Sequence, residues 1–188
     1  MYLSKSYTTN INQALRLAAR TSLKSLAALA FAHAIALSTS NTAYSQGATP
    51  TPSCAPFSQS FEDITTLTGA GWVQTNHSTV VGSTNWFQGN STVFPAQAGP
   101  PNSYIGANFN NTTGTNTISN WLLTPPVTLQ NGVTATFWTR TVDEPAFPDR
   151  LQVRMSTNGA SSNVGTTATD VGDFTTLLLD INSTYTTT

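Results

Sequence analysis

The chain has 188 residues, only 8% of them charged, with a formal net charge of −1. That length allows one domain and a targeting segment. The charge is unevenly placed. Lys5, Arg16, Arg20 and Lys24 are the only charged residues before Glu62, whereas from Gln46 onward three Arg stand against six Asp and two Glu, a net −5. A basic leader thus precedes a mildly acidic body, which carries no electrostatic footprint for nucleic acid or an anionic membrane surface.

The leader holds a twelve-residue apolar run, Leu26 to Leu37, after its basic residues. A spanning helix needs about 20 residues, so the run is too short to cross a bilayer. It fits the helical apolar region of a signal peptide, with Ala43-Tyr44-Ser45 as a small-residue cleavage site. Residues 1–45 are therefore expected to be a signal-peptide helix and its flanks, cleaved after Ser45. An acid-free leader with Arg and Ser also suits an organellar transit peptide, but the compact apolar run favours secretion. His33 lies inside this run and would leave with it.

Residues 46–56 form a Pro-rich linker with no apolar periodicity. Cys54 within it is the only cysteine, so no intrachain disulfide can form. Its two readings are an incidental thiol and a link to another chain.

Short strand patterns then follow. One begins at Phe57–Phe61, a turn occupies Gly69–Gly71, and Trp72 opens the next run. Thr84–Gln88 carries Trp86 and Phe87. Val93–Asn102 contains three prolines and reads as loop. Ser103–Phe109 reads as a strand in which Gly106 marks a bulge, and Asn110–Asn116 as a polar turn. Thr117–Thr124 is a strand stopped by Pro125-Pro126. Val133–Val142 has an aromatic on each face, so it is expected to be central and covered on both sides. Leu151, Val153 and Met155 alternate with polar residues, the pattern of a half-exposed strand. Phe174–Ile181 holds the last strand. No segment of the body carries a 3.6-residue apolar stripe. This predicts an all-β, antiparallel sandwich or jelly roll, residues 57–188. Polar composition also suits disorder, but Trp72, Trp86, Trp121 and Trp138 at strand spacing argue for a packed core.

Enzyme readings find little support. His77 is the only histidine after residue 45. No exposed-nucleophile context accompanies it, and zinc chemistry needs several His or Cys ligands. Sandwich glycosidases need paired carboxylates flanking a cleft. Here Asp143-Glu144 and Asp149 fall in or beside a Pro-bearing loop. Asp149 and Arg150 are expected to pair with Arg140 or Arg154, contributing about 0–1 kcal/mol if exposed. The Trp residues could stack on sugar, though buried Trp is commoner. The N-x-S/T sequons at Asn76, Asn90, Asn110, Asn111 and Asn182 follow from composition.

The order of motifs resembles the choice-of-anchor J domain and the related cleaved adhesin domain of bacterial surface proteins. The matching residues are Phe61-Glu62, Gly71-Trp72, Trp86, Tyr104-Ile105-Gly106, Asn120-Trp121-Leu122-Leu123-Thr124-Pro125, Phe137-Trp138-Thr139-Arg140 and Asp149 to Thr157. The resemblance spans Phe57 to Ile181. It implies a lectin-like jelly-roll β-sandwich, expected to be C-terminally incomplete because the family's closing strands have no counterpart after Ile181. It also implies a non-enzymatic module, secreted or on the bacterial surface, for adhesion or attachment to a glycan or protein ligand. A carbohydrate-binding module, alone or accessory to an extracellular enzyme, is the alternative. By the same resemblance calcium is the expected cofactor, held at Glu62 with Asp63 adjacent. A solvated strand end is the plain reading of both carboxylates. Neither nucleic acid nor membrane insertion is expected.

Overall fold

A computed structural model describes residues 5–11, 16–23, 29–31, 36–39, 57–129, 133–142 and 145–187. They are mostly strand, with two single 3-10 turns, so the all-β class holds. Four strands precede residue 40: β1 Lys5–Ile11, β2 Arg16–Leu23, β3 Leu29–Phe31 and β4 Ala36–Thr39. Nine follow: β5 Val73–Asn76, β6 Thr79–Val81, β7 Phe87–Gln88, β8 Ile105–Ala107, β9 Thr112–Thr117, β10 Asn120–Leu123, β11 Val133–Thr139, β12 Asp149–Ser156 and β13 Thr176–Ile181.

The strands form four small sheets. The largest has the order β13-β12-β2-β10-β5, two others run β1-β11-β4 and β3-β8-β7, and β6 pairs with β9. Every pairing is antiparallel. The expected leader helix is therefore corrected over its described residues: they are strand. The physical reason is unpaired backbone on β8, β10, β11 and β12, which these segments satisfy. Tertiary pairing overrides the modest helix preference of Ala and Leu. The proposed cleavage site, His33, the linker and Cys54 lie outside the described residues, as do Asp143 and Glu144.

One core cluster joins Leu122, Leu151, Val153 and Met155 of the large sheet to Val133, Ala135 and Phe137 of β11 and Ile105 and Ala107 of β8, with Phe61, Leu67, Trp72 and Trp86. The opposite face of the large sheet is covered too. There Trp121 and Leu123 meet Val164 and Phe174, with Trp121 and Phe174 rings 5.7 Å apart. The segment between β12 and β13 folds back over the sheet, so β12 is buried on most of its length rather than half-exposed.

Other boundaries shift for local reasons. Phe57–Phe61 is not a strand; Phe61 adopts φ 54° and sends its ring into the core. Asn110–Asn116 is not merely a turn. Asn108 and Asn111 cap one 3-10 turn at Phe109–Asn111 reciprocally, and the Thr-rich β9 follows directly. Gly106 marks no bulge. It pairs with Phe87 and Ala30, and a Cβ there would lie 2.7 Å from the Phe87 ring, so the glycine serves close approach. On β11 the core side is buried, whereas Thr134, Thr136 and Trp138 on the other are half-buried.

Candidate functional site

The expected metal residues sit where the chain leaves the core. Phe61 is buried, Glu62 and Asp63 are exposed, and the 3-10 turn Ile64–Thr66 begins at once. Asp63 is its N-cap. Its Oδ1 accepts from the Thr65 N–H at 2.9 Å and the Thr65 hydroxyl at 2.6 Å. These hydrogen bonds hold the carboxyl below the usual carboxylate range. Asp63 thus has a structural task that the sequence reading missed, although Asp before a short helical turn is a recognised capping signal.

Glu62 faces a different neighbourhood. The Pro-rich loop 93–102 brings Gly99 beside it. A Cβ on Gly99 would stand 3.9 Å from Glu62 Oε1 and 3.6 Å from Ser103 Oγ, so both oxygens border one side of that glycine. Gly99 has φ 75°, which a side chain would strain. Ser103 is fully buried and its hydroxyl has no hydrogen-bond partner. Neither Gly99 nor Ser103 carried a sequence signal; the loop fold alone brings them to Glu62.

Gln88 fixes this corner. Its Nε2 donates to the carbonyls of Phe61 (2.9 Å), Asn102 (2.7 Å) and Tyr104 (3.3 Å), and its Oε1 accepts from the Ile64 N–H at 2.9 Å. One amide therefore ties the Glu62 segment to the end of the Pro-rich loop. Next to it lies a small aromatic cluster. Phe94 and Tyr104 are buried, Trp138 packs against them, and the Arg140 guanidinium lies 4.7 Å from the Phe94 ring centroid. The Tyr104 hydroxyl donates to the Asn90 carbonyl at 2.8 Å, and burial raises its pKa.

A hard cation takes about six to eight oxygens. Glu62 and Ser103 supply a carboxylate and a hydroxyl, a partial set. Among the described residues no group of three or more His, Cys, Asp or Glu converges. Asp170 and Asp173, in the segment after β12, are engaged by donors instead. Asp173 accepts from Ser161 (2.6 Å), Asn158 (2.8 Å) and Asn163 (3.2 Å), and Asp170 from the Thr166 and Thr167 N–H groups. Those bonds lower both pKa values and close the loop on itself.

The other singled-out residues are placed as follows. Trp72, Trp86 and Trp121 are buried, and Trp138 is half-buried. His77 is half-buried, its backbone N–H donating to the Ser119 carbonyl at 2.8 Å. The expected pairing of Asp149 and Arg150 with Arg140 or Arg154 is corrected. Arg150 turns to Asp180 on β13, and the buried carboxylate of Asp149 has no hydrogen-bond partner. Among the described residues no helix is long and apolar enough to cross a membrane. Comparison with protein-family models, with curated proteins and with solved structures gives no match to this chain.

Proposed function

We propose that the chain is an exported, non-enzymatic module of the choice-of-anchor J type on a jelly-roll β-sandwich, used for attachment at the bacterial surface or in the surrounding matrix. The observation that carries this reading is convergence of its motifs. Phe61, Trp72, Trp86, Leu122, Phe137, Leu151 and Val153 come from six separate stretches of the resemblance, and all belong to one core cluster. The basic, apolar leader supplies the export half of the reading. Calcium at Glu62, with Ser103 Oγ nearby, is part of the same proposal; carbonyls or water would complete the shell.

The carbohydrate-binding alternative narrows to one tryptophan. Stacking needs an accessible ring face, and only Trp138 is not fully buried. The test is a glycan array run beside immobilised matrix proteins, with calcium and with chelator, using the purified protein and a Trp138→Ala variant. Saturable binding without turnover supports attachment. Glycan binding abolished by Trp138→Ala selects the lectin reading, and hydrolysis of any glycan contradicts both.

A further inference from the structure

The central strand of the five-stranded sheet is β2, which lies in the segment read as a leader. β10 and β12 both pair with it, and no ladder joins those two directly. Asn120 stands opposite Thr21 and Leu122 opposite Ala19; on the other side Asp149 stands opposite Leu23, Leu151 opposite Thr21 and Val153 opposite Ala19. Cross-strand partners share a sheet face. Asn120, Leu122, Asp149, Leu151 and Val153 therefore flank β2 on the core side.

Two of these are polar and buried, Asn120 at 0% exposure and Asp149 at 6%. Neither amide atom of Asn120 and neither carboxylate oxygen of Asp149 has a hydrogen-bond partner. The large majority of buried side-chain polar atoms in folded proteins are paired. Asn120 also has Asn76 of β5 opposite it, so the pointer is Asp149, whose two orphan oxygens lie beside β2. Opposite Asp149 that strand offers leucine, which has no polar group.

We propose that the place of β2 is a strand-acceptor slot, and that once the leader has left it takes an extended segment of a partner protein bearing a basic residue at the register position of Leu23. The proposal rests on residues 1–45 being a removable leader. Backbone groups of β10 and β12 supply the ladder, running antiparallel to the incoming segment on both sides. The basic side chain then lies beside Asp149, and a body of net charge −5 attracts such a segment. A second copy of this body does not suit: its three Arg lie in β12 or directly after β11, in segments already paired.

The test uses the full chain with a site-specific protease sequence placed after Ser45. The folded protein is cut and offered labelled, amidated peptides R-L-A-A-R-T-S-L and the same sequence with Leu23→Lys. The expected result is exchange of leader for peptide, the Lys peptide binding about tenfold tighter at neutral pH, with that preference lost in Asp149→Asn. No exchange, or equal affinity of the two peptides, overturns the proposal. In the uncut chain, Leu23→Lys should melt higher than the parent only while Asp149 is present; a lower melting temperature also overturns it. Sequencing the N-terminus of the natively exported protein tests the leader reading separately, since the engineered cut works whether or not the host makes one.

Discussion

Arg150 and Asp180 form a two-pronged pair across β12 and β13, Nε to Oδ1 at 2.8 Å and Nη2 to Oδ2 at 2.5 Å. The guanidinium keeps the Asp180 carboxyl below its ordinary range. One residue earlier the strand alternation turns Asp149 to the opposite face, into the core. There burial alone pushes its pKa up to about 8. Adjacent residues of one strand thus hold a paired charge and a buried carboxyl without a hydrogen-bond partner.

The pH dependence of stability follows from this pair. Asp149 binds its proton more tightly folded than unfolded. Its ionisation costs nothing below about pH 4, and stability falls as pH rises from there to about 8, then levels off. Asp180, whose pKa is lowered, acts the other way: its stabilisation is present above the ordinary carboxylate range and is lost as pH falls below it. From these two groups stability should peak at about pH 4, where the Asp180 gain is nearly complete and the Asp149 loss begins. Asp149→Asn should match the parent near pH 4 and exceed it at pH 9, by a few kcal/mol in order of magnitude. Urea melts across pH measure this; parallel curves for the two proteins contradict it.

Gly106→Ala should destabilise by about 1–3 kcal/mol, because the new methyl meets the Phe87 ring. In a Phe87→Ala background the same change should cost much less. A double-mutant cycle by denaturant melting checks the coupling; additive effects would show that the ring is not the obstacle.

Gln88→Ala removes the amide that joins four backbone groups around Glu62. Leaving such groups without partners costs about 1–3 kcal/mol each when buried, so a loss of that order is expected. Amide exchange at Ile64 should accelerate more than at Leu122 in the core sheet. Uniform acceleration at both would show global unfolding rather than release of this corner.

Calcium should raise the melting temperature, through a site that includes Glu62. Binding to the folded state alone adds about 2.7 kcal/mol at a hundredfold excess over Kd. Melts with calcium and with chelator should differ by several degrees, and Glu62→Gln should shrink the gap. No difference in the parent protein removes the metal from the account.

Much of the fold was legible in the sequence, and unevenly. Alternation placed β11 and most of β12, and short apolar runs located β5 and β13 approximately. Pro125 and Pro126 marked the end of β10, because proline cannot donate to a ladder. Three things were not legible. The burial of β12 depends on a distant loop returning to cover it, which no strand pattern encodes. The leader's apolar run has helical composition, while its pairing is decided by open backbone far along the chain. Around Glu62 the residues that matter, Gln88, Gly99 and Ser103, are ordinary types gathered by loop geometry. Local chemistry could have exposed only the Asp63 cap.

Export of a body that begins near Gln46 is the claim on which attachment depends, and one measurement reaches it directly. The native host is fractionated, the protein recovered from each fraction, and its N-terminus sequenced. The account predicts a single species in the extracellular or surface fraction, starting at Gln46. An intact chain starting at Met1 in the cytoplasm would contradict it, and would make β2 a permanent strand of the sheet.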